Sequence, residues 1–363
     1  MCEHLAAEAS VSSKSGRAAA CGAFALLLCA CAHAPAPVRI LETGSTLLYP
    51  LMNLWVQGYQ ATHPGVQITT QGTGSGTGIS QAEAGVAQIG ASDAYMPDDT
   101  MRRAPMLNIP LAISALLVIY NLPDLGAVHL DLSGPILAAI YSGSITQWDD
   151  PRIVAANPSL RGRLPHHAIL VIYRSDGSGD TFVFTQYLSR TTPRWAASTG
   201  FGTSVSWAPS SALVGANGNP SVLQICSSAR YAVAYIGISF ADEVRASGLG
   251  YAALRNRAGA YVIATPKAIA SAARALVWAM PADGRLSIVY APGANSYPLV
   301  NYEYAIVAPA ARNRRVRRVL QDFLRWTLEP GGGQSPKYLG RVGFVPLPPR
   351  VAMRSRAQVA SIR

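Results

Sequence analysis

Ile169 to Tyr173, then Arg174-Ser175-Asp176-Gly177-Ser178-Gly179-Asp180, then Thr181 to Leu188, reads as a strand, a small polar loop and a helix. Two earlier stretches repeat that grammar. Val38 to Leu41 is a predicted strand, followed by Thr43-Gly44-Ser45-Thr46 and an apolar helix from Leu47 to Gln60, with Pro50 tolerated in its first turn. Val66 to Thr70 alternates as a strand, followed by Gly72-Thr73-Gly74-Ser75-Gly76-Thr77-Gly78 and a helix from Ile79 to about Ala87. Strands alternating with helical patterns predict α/β layers.

Such a junction favours an anion. The first four N–H groups of a helix lack internal partners, and the macrodipole makes that end positive. Glycine lets the backbone approach ligand oxygens, and Ser or Thr adds a hydroxyl donor. One such loop is an ordinary helix cap. Three in one chain, one carrying Arg174, point to a small oxyanion. The glycine-rich loop fails the nucleotide motifs: no Lys-Ser or Lys-Thr follows it, and no acid closes a strand about 20 residues on in the required context.

Asp93, in Gly90-Ala91-Ser92-Asp93 after a short Val86 to Ile89 run, then needs its own account. A carboxylate facing an oxyanion is unfavourable unless the ligand brings a proton, which it accepts in a short, charge-assisted bond. Phosphate near neutrality carries such a proton and sulfate does not, so this pattern admits the one and rejects the other. Asp176, two residues from Arg174, can brace the guanidinium for a bidentate grip on the ligand; it can equally cap the following helix.

Composition sets the outer bounds. The 363 residues are 50% hydrophobic and 13% charged, which suits an ordered chain of about two domains. Four of five cysteines fall within the first 31 residues, leaving Cys226 as the only thiol in the body, so a disulfide framework is excluded. Cys226 reads as a small buried hydrophobe in a loop before a Tyr231 to Ile236 strand. The net charge of +11 is concentrated at the end: residues 301–363 hold 12 Lys and Arg against Glu303, Asp322 and Glu329, a net +9. Arg312, Arg314, Arg315, Arg317 and Arg318 begin an amphipathic helix running to Trp326, with Val316, Val319, Leu320, Phe323 and Leu324 as its apolar stripe. Those arginines read as a solvated helix face rather than a polyanion groove, so nucleic acid is not an expected partner.

The amino terminus reads as an address. Lys14 and Arg17 precede an apolar run from Ala18 to Cys31, too short to cross a bilayer at about 20 residues but suited to a secretory signal. Leu28-Cys29-Ala30-Cys31 resembles a lipobox, which implies loss of residues 1–30 and lipid attachment at Cys31, with residues 31–37 as a tether.

Gly44-Ser45-Thr46, the Gly72 to Gly78 loop, Gly90-Ala91-Ser92-Asp93, Trp148-Asp149-Asp150-Pro151, Arg174-Ser175-Asp176-Gly177-Ser178-Gly179, Val233-Ala234-Tyr235-Ile236-Gly237 and Tyr297 to Tyr302 together resemble the phosphate-binding proteins of Pst ABC transporters, in order and over nearly the whole mature chain. The stretches Gly44 to Pro50 and Asn301 to Val307 are most similar to the actinobacterial lipoprotein branch. The resemblance implies an α/β, two-lobed periplasmic-binding-protein-like (class II) fold with two crossover hinge segments. Lobe 1 would comprise 38–113 plus 296–363, and lobe 2 residues 114–295. It further implies inorganic phosphate in the cleft, held by Ser45, Thr46, Leu47 through its N–H, Ser75 and Asp93 from one lobe and by Arg174, Ser178, Gly179 and Asp180 from the other, with Asp176 supporting Arg174.

Position 180 departs from the Thr or Ser common in that family. Asp180 either accepts a second ligand proton or contributes its N–H and points away. The implied partners are the permease subunits of a Pst transporter with their cytoplasmic ATPase, and the membrane, met through the lipid anchor on its extracytoplasmic face. No cofactor, metal or chemistry is expected: His63, His129, His166 and His167 lack metal-ligand spacing, and no Ser/His/Asp arrangement sits on these loops. The alternatives are the same fold with sulfate or molybdate, a phosphatase or phosphotransferase using Arg174, and a surface antigen or adhesin.

Overall fold

The apolar, β-branched runs form strands, and most extend further toward the polar loops than their composition suggests. The computed structural model describes residues 36–125, 128–208, 212–311 and 313–363; the signal segment, lipobox and Cys31 lie outside them. The strands are β1 (Val38–Gly44), β2 (Val66–Gly72), β3 (Ile89–Ser92) and β4 (Leu107–Tyr120). β5 (Asp131–Leu132), β6 (Leu170–Arg174), β7 (Leu213–Ala216) and β8 (Ala232–Gly237) follow, then β9 (Gly250–Tyr251), β10 (Ala253–Arg255), β11 (Tyr261–Val262) and β12 (Val300–Val307). The main sheet runs β2-β1-β3-β12-β4-β8-β6-β7 with β9 beside β4, and β5, β10 and β11 make a small separate sheet.

β4 divides the molecule into two lobes. Leu107 to Ala115 pair with β12, whereas Leu116 to Tyr120 pair with β8. The second crossover lies beside it, where the Leu116 amide donates to the Leu299 carbonyl at 2.9 Å. Such a central strand must be apolar on both faces, and all of β4 after Leu107 is buried. Pro110 is the exception that shapes it. Proline offers no N–H to the ladder, and the register against β12 shifts here: Ala112 faces Glu303 but Pro110 faces Tyr304. The bulge makes Leu111 the extra residue. Its carbonyl accepts from Gln334 Nε2 at 2.8 Å, and that of Pro110 from Ser355 Oγ at 2.6 Å.

In each lobe the parallel strands run the same way, β1 with β2 and β3, and β6 with β7 and β8. Ligands of open α/β sheets bind beyond the carboxyl ends of such strands, and the three junctions lie there. Several expected boundaries move. Thr43 and Gly44 close β1, and the following helix is Tyr49–Gln60. The helix after β2 is Ser75–Glu83, so half of the glycine-rich segment is helical. The third helix is Gly179–Thr191. Val86 is 57% exposed and outside β3, because the chain turns through Gly85 at φ 69° before the strand begins. Cys226 is buried as expected, but within the helix Gly218–Ser228, where burial pushes its thiol up to about 12. The arginine-rich helix is Arg314–Thr327. It buries Leu320, Phe323 and Leu324, while Val316 and Val319 are half-buried at the stripe's edge.

Candidate functional site

The site is built where these strands end. Gly44 has φ 140°, and a Cβ there would lie 2.0 Å from the Ala91 carbonyl oxygen, so only glycine allows β1 to close against β3 and turn into Ser45. The Ser45 amide then donates to Ala91 O at 2.9 Å. Its hydroxyl accepts from the Leu48 amide at 2.9 Å and donates to Oδ1 of Asp93. Ser75, first residue of its helix, donates to Asp93 Oδ2 at 3.2 Å and accepts from the Asp93 amide at 3.2 Å. Each hydroxyl thus has one of its two lone pairs occupied by an N–H and its proton turned to the carboxylate. Ser45, Ser75 and Asp93 are all buried.

Across from them, Arg174 ends β6 with its side chain 1% exposed. Its Nε donates to Asp176 Oδ1 at 2.7 Å and its Nη2 to Asp176 Oδ2 at 2.5 Å, a planar fork. Asp176 Oδ1 also accepts from the Gly218 amide at 3.1 Å. Asp176 therefore braces the guanidinium; the cap of the following helix is Ser178, whose Oγ accepts from the Thr181 amide at 3.2 Å. Nη1 of Arg174 donates to Asp180 Oδ2 at 2.6 Å, and Asp180 is fully buried in the first turn of that helix. The Asp180 side chain is thus engaged by Arg174.

Burial opposes charge on Arg174, yet the bond to Asp176 and the negative charges of Asp180 and Asp176 outweigh it and hold the guanidinium ionised. For Asp176 burial pulls upward, but Arg174 prevails and the net shift is down. Asp180 goes the other way. Burial and the charge of Asp93 push it up to about 7 against the pull of Arg174. Its Oδ1 has no well-directed hydrogen bond, although the Asn219 amide lies close enough to favour the charged form.

Contacts across the cleft bring the two sides together. Gly179 packs its backbone against the carboxylate, since a Cβ there would lie 2.4 Å from Asp93 Oδ2 and 2.6 Å from Ser75 Oγ. The Gly76 amide donates to the Gly177 carbonyl at 2.8 Å. Thr46 Oγ1 accepts from the amide and from Nδ2 of Asn219, at 3.2 and 3.0 Å. Leu47 is buried against Gly237, and its carbonyl accepts from Ser239 Oγ at 2.8 Å. Of the nine expected ligand residues, Ser45, Ser75, Asp93 and Gly179 meet directly, Arg174 pairs with Asp180 with Asp176 behind it, Ser178 caps the helix that Gly179 begins, and Thr46 and Leu47 meet Asn219 and Gly237.

Asn219 was not singled out in the sequence. Its signal was present: Ala216-Asn217-Gly218-Asn219 is a fourth strand, polar loop and helix junction, between β7 and the helix Gly218–Ser228. Nothing local in the Val233 to Gly237 motif marks Tyr235 as a support of the site, yet its hydroxyl accepts from the Arg174 amide at 3.1 Å and lies 2.8 Å from Thr181 Oγ1. Among the described residues no His, Cys, Asp and Glu cluster could hold a metal ion. His166 pairs with Asp149 on the surface, at 2.8 Å.

Chemically this is a buried cradle of helix ends, hydroxyls and one fixed guanidinium, with carboxylates interleaved, suited to an oxyanion that still carries protons. The PBP superfamily domain matches residues 32–330. The phosphate-binding protein PstS of Methanocaldococcus jannaschii is 35% identical over 331 residues, covering 86% of this chain and 83% of that protein. The PstS of Xylella fastidiosa is 33% identical over 324 residues, 89% of this chain and 85% of the other. PstS3 of Mycobacterium bovis is 31% identical over 333 residues, 88% and 85% of the two chains. The archaeal and mycobacterial identities are similar, so they do not single out the actinobacterial branch.

Among solved structures, the phosphate-binding protein of Stenotrophomonas maltophilia superposes with a TM-score of 0.64 at 18% identity, over 88% of this chain and 93% of that one. A putative phosphate ABC transporter substrate-binding protein from Clostridium perfringens does so with 0.61 at 17% identity, over 86% and 100%. The structural matches establish the two-lobed fold; the family match and the sequence identities establish that this chain belongs to the phosphate-binding PstS proteins of the PBP superfamily.

Proposed function

We propose that this chain captures inorganic phosphate between its lobes and delivers it to the membrane permease of a Pst ABC importer, acting as a binding protein and not as an enzyme. The observation that carries the reading is Asp93, a buried carboxylate set among the hydroxyls of Ser45 and Ser75 and against the backbone of Gly179. Only an anion with a proton to donate is stabilised there. Ser45, Thr46, the Leu47 amide, Ser75 and Asp93 bind from one lobe, and Arg174, Ser178, Gly179 and Asp180 from the other. Asp180, facing Arg174 and sensing Asp93, accepts a second ligand proton when ionised.

The lobes are assigned to 38–113 plus 296–363 and to 114–295, which accords with the change of β4 partner after Ala115. Lipid attachment at Cys31 would tether the domain to the extracytoplasmic face of the membrane; no helix among the described residues is long and apolar enough to cross one. Metabolic labelling with a radioactive fatty acid tests the anchor, and incorporation that persists in Cys31→Ala would refute it. Calorimetric titration with phosphate and sulfate tests the ligand. Tight binding of phosphate alone is expected, and comparable affinity for both anions would overturn the reading.

A further inference from the structure

Glu303 is an acid in the middle of an apolar strand, completely buried in β12 at the bulge opposite β4. Its Oε1 accepts from Ser114 Oγ at 2.5 Å and from Asn301 Nδ2 at 3.1 Å. The Ser114 hydroxyl also lies 2.8 Å from Asn301 Oδ1, and its single proton serves one of these acceptors at a time. No donor reaches Oε2. Asn301 Nδ2 links this acid to Asp93, since it also donates to the Asp93 backbone carbonyl at 3.3 Å, and the Asp93 carboxyl lies close enough to Glu303 to share a proton with it.

Two carboxylates in contact inside a protein do not both ionise. The shared proton belongs to the partner with the poorer set of donors. Asp93 receives a hydroxyl on each oxygen, from Ser45 and from Ser75. Glu303 has donors on one oxygen only, and burial and the charge of Asp93 both push it toward the neutral acid. The oxygen without a donor is then the one that carries the proton, which satisfies it and gives Asp93 a third donor.

We infer that Glu303 is a positioning residue of the binding site: as a neutral acid it donates from Oε2 to Asp93, holding that carboxylate from behind with its remaining lone pairs turned to the cleft. The inference rests on the phosphate reading for its consequence, though not for the location of the proton. It also ties the site to the crossovers, since Ser114 belongs to β4 and Asn301 and Glu303 to β12, the two strands that pair at the hinge.

Infrared difference spectra of the ligand-free protein, wild type minus Glu303→Gln, test the proton directly. A carbonyl stretching band of a protonated carboxyl is expected, and it should shift in Asp93→Asn, where the acceptor loses its charge. Carboxylate bands alone, or no shift in Asp93→Asn, would overturn the inference. Phosphate titration tests the consequence. Glu303→Gln keeps an N–H donor toward Asp93 and should bind within about threefold of wild type, whereas Glu303→Met, of similar size without a donor, should lose about tenfold or more.

Wild-type affinity in Glu303→Met, or equal losses in both variants, would count decisively against positioning by a donated proton. Should Glu303→Met not fold, the spectra and the Gln variant still decide. A wild-type protein that binds no phosphate would end the proposed function and leave the spectroscopic result standing.

Discussion

The first turn of the helix Gly179–Thr191 and the interior of β1 each hide an acid from water, and they treat it differently. Asp180 and Glu42 are both fully buried, and burial is the largest upward influence on each. Asp180 meets a guanidinium at 2.6 Å and stands at about 7, burial and the charge of Asp93 together prevailing over Arg174. Glu42 has no well-directed hydrogen bond on either oxygen, the Gln71 backbone giving only slight relief, and is pushed up to about 8. Burial raises both acids, but only around Asp180 do fixed charges of both signs share in setting the value. A raised carboxyl is therefore not by itself the mark of a binding site.

The comparison breaks most completely at Arg174. Arg174→Ala leaves Asp176 and Asp180 without their shared cation and removes the site's fixed positive charge together with the guanidinium N–H groups not committed to those two acids. Titration calorimetry should show phosphate affinity falling by about 5 kcal/mol, effectively to nothing. Retention of affinity within tenfold would mean that the anion is held elsewhere. Arg174→Lys should rescue little, because a point charge cannot reproduce the planar pairing with Asp176.

Next in size is Glu42, where the effect is on stability. Its folded value of about 8 exceeds the ordinary 4.5, so the folded state holds a proton that the unfolded chain has released across that interval. Stability from this group is complete below about pH 4.5, declines as pH rises toward 8 and is level beyond, a total of roughly 3–5 kcal/mol. Glu42→Gln should flatten that decline in denaturant titrations at a series of pH values, with phosphate affinity unchanged. A slope identical to wild type would show that Glu42 finds a partner in solution.

These two acids also mark the limit of what the sequence discloses. The junctions after β1, β2 and β6 were legible because each is local: glycine and hydroxyl residues adjoin a helix start, and the brace of Arg174 by Asp176 spans two residues. The inward aim of Asp180 was left open, because a first-turn acid caps, faces solvent or turns to a partner according to what packs over it. Asn219 reaches Thr46 across 173 positions and Ser114 reaches Glu303 across 189. No periodicity encodes such pairs; the strand order creates them. Strand ends were placed short because Thr43, Gly44 and Arg174 look like loop residues, yet the parallel ladder carries them into the sheet.

Asp93→Asn sharpens the contrast from the other lobe. The amide would no longer accept a ligand proton with full charge, and one of its oxygens is replaced by a donor that faces the hydroxyl of Ser45 or Ser75. Phosphate affinity should drop by about tenfold to a hundredfold, the value of a hydrogen bond to a charged group. Sulfate, which offers no proton, should bind no worse and can gain. Equal losses for both anions would remove Asp93 from the discrimination.

Asp180→Thr carries the smallest effect and separates the two kinds of buried acid most directly. As pH rises through about 7, Asp180 becomes ionised beside the anion and Asp93. From then on it favours only a ligand that can still give it a proton, and that form is disappearing over the same interval. A threonine hydroxyl donates at every pH. Below about pH 6 a protonated Asp180 also donates, so the variant and wild type should bind phosphate alike. Above neutrality the variant should bind more tightly by about 1 kcal/mol, roughly fivefold, because one unit of repulsion, already offset by Arg174, is gone. Affinities measured at a series of pH values would therefore diverge only on the alkaline side. Curves that stay parallel would show that Asp180 keeps one protonation state throughout, held by Arg174 as firmly as Asp176 is.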